Sequence, residues 1–161
     1  MRRLSLGTLQ KMKAKSIFAV LALGSAIAVA QAPEPTFKVT LASTKVKAGS
    51  WVKGTAILTF APDYHGYQNP PTQSFEIPVK IEAGSKDVAL KVVYPKGELK
   101  EFMETQTAVY EGEVKIPFTF KAASKPGQMK LAIKVSYQQC DATNCFPPSS
   151  KTVILNLTVT K

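Results

Sequence analysis

Cys140 and Cys145 are the two cysteines of this 161-residue chain, and four residues separate them. They lie in the stretch 137–148, YQQCDATNCFPP, a polar turn between two strongly alternating segments. Two thiols this close in sequence could form a structural disulfide, exchange a disulfide with a partner protein, or bind a metal ion. The rest of the chain must position this loop.

Metal binding is the least favoured of these chemistries. A structural zinc site uses four ligands, whereas His65 is the only histidine of the chain. Asp141, between the cysteines, is a hard ligand for a soft site. We therefore expect neither a metal nor another cofactor.

A structural disulfide and a redox-active disulfide remain open alternatives. Closing a six-residue loop removes roughly 2 kcal/mol of unfolded-state entropy, less than the roughly 3 kcal/mol of a 15-residue loop. A disulfide that adds little stability in an exposed loop has the character of a labile, exchanging one. The residues by themselves support the two interpretations equally.

The N-terminus is predicted to be a signal peptide. Five basic residues and no acidic residue precede an apolar run of 14 residues at 16–29, which is too short for a membrane span of about 20. Residues 28–30, Ala-Val-Ala, form a signal-peptidase pattern. We expect residues 1–30 to be cleaved and residues 31–161 to be periplasmic or otherwise exported, without membrane insertion. An uncleaved anchor is the alternative.

Composition argues against nucleic acid as a partner. Removal of the leader would leave 16 basic residues against 11 acidic residues, a formal balance of +5. All 16 are lysines, whereas readout of phosphate and guanine relies on the planar arginine fork. We interpret the lysines as a solvated surface.

Alternating apolar and polar residues recur along the chain and predict strands. Only residues 99–107 have a helix-friendly composition, and Pro78 favours an edge strand for its segment. We predict an all-β fold, an immunoglobulin-like antiparallel β-sandwich of about 7–9 strands, with Trp51 in the core and a small barrel as the alternative. The strand patterns lie at residues 37–41, 51–60, 75–81, 88–94, 109–120 (interrupted at 111–112), 129–137 and 153–159.

The cysteine loop resembles the N-terminal periplasmic domain of the thiol–disulfide transporter DsbD. The resemblance rests on Tyr137-Gln-x-Cys140-(x4)-Cys145-Phe-Pro-Pro148, and it extends over residues 37–161 through weaker matches at 63–72, 94–97 and 109–114. Two departures are apparent: the best-known members have one more residue between the cysteines, and this chain contains no Cys-x-x-Cys motif.

The resemblance implies a thiol–disulfide exchange protein, similar to a protein-disulfide reductase. Such a domain takes electrons from a membrane thiol–disulfide transporter and passes them to thioredoxin-like proteins, including disulfide isomerases and the reductases of cytochrome c maturation. By resemblance, Cys145 bonds to partners and Cys140 resolves the mixed disulfide. The alternative hypothesis is an exported binding or structural module whose short disulfide only rigidifies a loop.

The resemblance also implies residues around the cysteines. Phe102 is expected to cap the disulfide, with Met103 as the alternative cap, and Glu101 is either a proton acceptor or solvated. Hydroxyl and imidazole groups could hydrogen-bond a thiolate or carry protons; those expected near the cysteines belong to Tyr64, His65 and Tyr67.

Overall fold

Strands follow the apolar–polar alternation through the residues described by the computed structural model, 32–102 and 104–161. These residues contain no helix, and hence none that is long and apolar enough to cross a membrane. The strands are β1 (Thr36–Leu41), β2 (Lys45–Lys47), β3 (Trp51–Thr59), β4 (His65–Tyr67), β5 (Lys80–Ala83), β6 (Leu90–Val92), β7 (Glu98–Phe102), β8 (Thr105–Glu111), β9 (Glu113–Lys121), β10 (Gly127–Tyr137), β11 (Gln139–Cys140) and β12 (Ser149–Thr160).

The strands form three four-stranded sheets. Their orders are β1-β3-β9-β6, β2-β12-β10-β5 and β11-β4-β8-β7, and every named pair is antiparallel except β2–β12. The predicted all-β, immunoglobulin-like sandwich is thereby confirmed. The strands outnumber the prediction because five of them span only two to four residues, too few to display an alternating pattern.

The core lies between the first two sheets, where their inward side chains interdigitate. Leu58 of β3, Phe120 of β9 and Ile133 of β10 are each fully buried, which removes their apolar surface from water. Trp51, which we expected in this core, is 46% exposed. Strand alternation explains the error, because the inward position of β3 belongs to its neighbour Val52.

The predicted interruption at residues 111–112 is a change of sheet. β8 ends at Glu111 in the third sheet, and β9 begins at Glu113 in the first. Gly112, between them, has a φ of 53°, a left-handed conformation that glycine adopts without steric cost. This residue therefore lets one continuous segment serve two sheets.

The helix-friendly segment at 99–107 is instead part of a β-hairpin. Phe102 of β7 pairs with Thr105 of β8, and β8 pairs with β4 on its other side. Tertiary pairing overrides the weak local preference because it satisfies the backbone of β8 on both edges. Phe102, the last residue of β7, lies beside the cysteine loop.

Gly66 in the middle of β4 tests how tightly the third sheet packs on the core. A Cβ atom at this position would lie 2.5 Å from Phe60 Cζ, so Gly66→Ala should lower the free energy of unfolding by about 1–3 kcal/mol through overpacking. Urea unfolding measures the loss. Thr55→Ala on the outer side of β3 is the control, and equal stability of the two variants would contradict the close approach.

Candidate functional site

The cysteine loop is a tight hairpin closed by a disulfide. Cys140 and Cys145 face each other in an antiparallel bridge, and their sulfur atoms are bonded at 2.05 Å. The Asp141 N–H donates to the Asn144 carbonyl at 2.9 Å, and the Phe146 N–H donates to the Gln139 carbonyl at 2.8 Å. The structure therefore represents the oxidised form.

Asp141 holds the tip of this hairpin. Its Oδ1 atom accepts hydrogen bonds from the backbone N–H groups of Thr143 at 2.8 Å and Asn144 at 2.7 Å. Aspartate is favoured at such turns because its short side chain reaches the backbone two and three residues on. These hydrogen bonds hold the pKa of Asp141 below its usual range, so its carboxylate stays ionised.

The two sulfur-bearing residues differ in access to solvent. Cys140 is only 1% exposed, because it lies on β11 against β4, whereas Cys145 is exposed on the returning arm of the hairpin. A thiolate from another protein can approach only a sulfur that it can reach. The two cysteines therefore differ in their accessibility to another protein.

One hydroxyl group contacts both sulfur atoms. The Tyr67 hydroxyl oxygen lies 3.2 Å from Cys145 Sγ and 3.4 Å from Cys140 Sγ. Disulfide sulfurs carry no hydrogen, so the phenol is the donor. Burial, and next the negative charge of Glu76, raise the pKa of Tyr67, which keeps the donated proton on the hydroxyl.

Strand register gathers the site on one face of the third sheet. His65 of β4 is opposite Cys140 on one side and Glu111 on the other, and directly opposed residues project to the same face. Tyr67 projects to this face too, since it lies two residues after His65. The same alternation along β8 and β7 brings Phe102 to this face.

Phe102 packs on His65 at the edge of the disulfide. Their rings are stacked, with centroids 4.5 Å apart and planes inclined by 22°. A small cleft of about 60 Å³ lies beside the disulfide. It is lined by His65, Tyr67, Phe102 and residues 140–145. Met103, the alternative cap, lies outside the described residues.

Two of the predicted neighbours lie elsewhere. Glu101 is exposed and projects to the opposite face of β7 from Phe102. Tyr64 packs its ring 6.0 Å from that of Phe146, so it supports the returning arm of the hairpin and does not line the cleft. The structure thus brings His65, Tyr67 and Phe102 to the cleft beside the disulfide, whereas Glu101 and Tyr64 do not line it.

Sequence reasoning missed three charged residues on the site face. Lys100 and Glu111 form an ion pair across β7 and β8, and Glu111 is the register partner of His65. Glu76 is 5% exposed, and, besides the larger effect of burial, its negative charge raises the pKa of Tyr67. No local signal marks these residues, because strand pairing places Lys100 and Glu111, and a hydrogen bond from Thr107 places Glu76. Within residues 32–102 and 104–161, no group of three or more His, Cys, Asp and Glu side chains could hold a metal ion.

Removal of the Phe102 ring should expose the disulfide to small reagents. We expect Phe102→Ala to react with dithiothreitol at least about threefold faster than the unaltered protein, because access limits exchange. The measurement is alkylation of released thiols against time, followed by mass spectrometry. Leu99→Ala alters an exposed side chain of the same strand and should leave the rate unchanged. If Phe102→Ala reacts with dithiothreitol at the unaltered rate, the Phe102 ring does not cap the disulfide.

His65 should make stability depend on pH. Burial lowers its pKa, Glu111 raises it, Lys100 lowers it and Asp141 raises it, with a net decrease. As the pH falls through about 6.5, the unfolded imidazole takes up a proton that the folded one does not. The free energy of unfolding should therefore fall with pH in this range. His65→Phe, which keeps an aromatic ring beside Phe102, should flatten the slope, and an identical slope would contradict the burial argument.

Comparison with known proteins assigns the chain to a family. Residues 29–157 match the family model for the N-terminal region of the thiol:disulfide interchange protein DsbD. No curated protein matches the sequence.

Comparison with solved structures gives two matches, of which the first is similar in fold. The N-terminal periplasmic domain of ScsB from Proteus mirabilis is 18% identical with a TM-score of 0.57, and the match covers 77% of this chain and 46% of that one. This chain thus matches about half the length of that relative. The Neisseria meningitidis DsbD N-terminal domain in the reduced form is 17% identical with a TM-score of 0.45, and the match covers 70% of this chain and 80% of that one. The family model covers most of the sequence, and the chain therefore belongs to the DsbD N-terminal family of thiol–disulfide exchange domains.

Proposed function

We propose that this protein passes reducing equivalents from a membrane thiol–disulfide transporter to oxidised thioredoxin-like or disulfide isomerase proteins. Cys140 and Cys145 would carry them. One observation supports this proposal best. The disulfide joins an exposed residue, Cys145, to a buried one, Cys140, and the Tyr67 hydroxyl lies within hydrogen-bonding distance of both sulfur atoms. Membership of the family adds support, because DsbD is a thiol:disulfide interchange protein.

Reduction of the protein begins at the exposed residue. A donor thiolate attacks Cys145 Sγ, a donor–Cys145 disulfide forms, and Cys140 leaves as a thiolate that takes up a proton. The second thiol of the donor, as thiolate, then attacks the donor's own sulfur in this mixed disulfide. Cys145 leaves, the donor dithiol has become a disulfide, and two electrons and two protons have passed to the protein.

Delivery to the acceptor reverses these steps. The Cys145 thiolate attacks the partner disulfide, which forms a mixed disulfide and releases one partner thiolate. Cys140, deprotonated, attacks Cys145 Sγ, the Cys140–Cys145 bond forms again, and the second partner thiolate leaves. The two protons lost by the cysteines balance those gained by the partner. Burial of Cys140 beside Cys145 suits it to this internal step, since it needs no access from solvent.

Tyr67 is proposed to stabilise whichever sulfur carries the charge. In both directions a cysteine thiolate either attacks or leaves from a position within hydrogen-bonding distance of the hydroxyl. A hydrogen bond to an ionised group is about twice as strong as one between neutral groups. The Tyr67 hydroxyl therefore stabilises the thiolate states of exchange more than it stabilises the resting disulfide.

Phe102 is proposed to restrict access while no partner is bound. It borders the cleft beside the disulfide, and its stacking on His65 gives the ring a defined resting place. A partner would have to displace or pack against this ring to reach Cys145. Glu101 projects away from the cleft, which favours its interpretation as a solvated residue.

Localisation and partners extend the proposal beyond the described residues. The predicted leader at residues 1–30 lies outside them, and cleavage or retention as an anchor leaves the exchange chemistry unchanged. We place the protein in the periplasm or a comparable exported compartment, where thiol–disulfide partners of cytochrome c maturation also act. The structural-disulfide alternative makes different chemical predictions.

Trapping distinguishes the two roles of the cysteines. Cys140→Ala should accumulate mixed disulfides through Cys145 with an oxidised thioredoxin-like protein, because the resolving thiol is absent. Cys145→Ala should accumulate far fewer, since Cys140 is buried. Non-reducing electrophoresis with mass spectrometry identifies the bonds, and Cys140→Ala/Cys145→Ala is the blank.

A reduction potential completes the test of function. An exchanging disulfide should have a reduction potential above about −300 mV. Structural disulfides, which resist reduction, have reduction potentials below this value. Equilibration with glutathione or dithiothreitol redox buffers measures it. A potential well below this value, together with no trapped complex, would favour the structural module.

A further inference from the structure

Glu76 is a buried carboxylate whose only contribution described so far is its charge near Tyr67. It is 5% exposed, and a buried charge is costly unless hydrogen bonds satisfy it. Its Oε2 accepts the N–H groups of Thr72 at 2.8 Å and Gln73 at 3.1 Å, and its Oε1 accepts the Thr107 hydroxyl at 2.9 Å. The carboxylate thus joins two parts of the chain that are distant in sequence.

These two parts flank Tyr67. On one side, Val109 of β8 is the register partner of Tyr67 and lies two residues beyond Thr107. On the other side, Pro78 bridges to Tyr67, and the Val79 N–H donates to the Tyr67 carbonyl at 2.9 Å. Glu76 connects the segment that leads to Pro78 with the strand that carries Val109. The backbone of Tyr67 is therefore held between two segments that one carboxylate ties together.

We propose that Glu76 is a positioning residue of the redox site, which acts through Tyr67 by clamping together the two segments that flank it. This inference rests on the proposed function for its importance to exchange. The clamp places the Tyr67 hydroxyl against both sulfur atoms, at 3.2 Å from Cys145 Sγ and 3.4 Å from Cys140 Sγ, and a displacement of the hydroxyl would weaken these hydrogen bonds.

The charge of Glu76 makes a second contribution at the same residue. Its negative charge raises the pKa of Tyr67, in addition to the larger effect of burial. A phenol that stays protonated donates to a thiolate, whereas a phenolate would repel it. The carboxylate thus contributes to the position of the donor and further favours its protonated form.

A double-mutant cycle tests the clamp in the full-length oxidised protein. The probe is dithiothreitol at one fixed pH, and the readout is the rate of disulfide reduction. Tyr67→Phe should slow reduction about five- to tenfold, the rate equivalent of one lost hydrogen bond. Glu76→Ala should slow it by a comparable factor, but less than about twofold further in the Tyr67→Phe background, because non-additivity marks residues that act through each other.

Two outcomes would overturn the proposal. If the effects of Glu76→Ala and Tyr67→Phe multiply, Glu76 acts independently of Tyr67, and if Glu76→Ala leaves the rate unchanged, the clamp has no bearing on the site. Tyr94→Phe is the matched control, because it removes another, partly buried hydrogen bond, in which the hydroxyl accepts the Ile81 N–H at 2.9 Å. It should lower the melting temperature without slowing reduction.

Milder variants keep the test decisive if Glu76→Ala fails to fold. Thr107→Val removes one arm of the clamp and keeps the charge, so it should slow reduction, whereas a native rate would contradict the clamp. Glu76→Gln keeps hydrogen-bonding capacity and removes the charge. It should lower the pKa of Tyr67 in an NMR titration of ¹³C-labelled tyrosine, and an unchanged pKa would refute the electrostatic contribution.

The cycle and the trapping experiment can fail separately. Reduction by dithiothreitol needs no partner protein, so a coupled Glu76–Tyr67 pair without trapped complexes would leave the clamp intact and reject the electron-transfer function. Trapped complexes without coupling between Glu76 and Tyr67 would support the electron-transfer function and reject the clamp.

Discussion

The register of the third sheet is the constraint on which the site depends. Cys140, His65 and Glu111 stand in one row across β11, β4 and β8, and Tyr67 follows on the same face two residues later. A slip of one residue in any pairing would turn the side chains of that strand to the opposite face. The chemistry therefore depends on backbone hydrogen bonds that involve none of the reacting atoms.

The hairpin and the disulfide stabilise the loop by different means. The hydrogen bonds of Asp141 to the backbone of Thr143 and Asn144 do not involve sulfur, so cleavage of the disulfide does not by itself remove them. Such a loop can be oxidised and reduced without having to form anew each time. The asymmetry between a buried Cys140 and an exposed Cys145 belongs to this hairpin, because one arm pairs with β4 and the other faces solvent.

Local patterns predicted the architecture better than its details. Alternation predicted the sandwich, and the break at 111–112 coincides with a change of sheet at Gly112. The same reasoning misplaced Trp51, since an aromatic residue at the start of a strand suggests burial while its phase in the alternation directs it outward. Short strands such as β4 and β11 carry no periodic signal. Their existence depends on the neighbours with which they pair.

The sequence alone determined the β class and the pair of thiols, because alternation and cysteine spacing are properties of adjacent residues. Family resemblance added Phe102, His65 and Tyr67 as neighbours. Only the tertiary structure decided which cysteine is exposed, that Glu101 projects away from the cleft, and that Glu76 lies near Tyr67. The contacts that set the burial of Cys140 and the position of Glu76, with His65 and Thr107 respectively, join segments separated by tens of residues, and no local pattern encodes them.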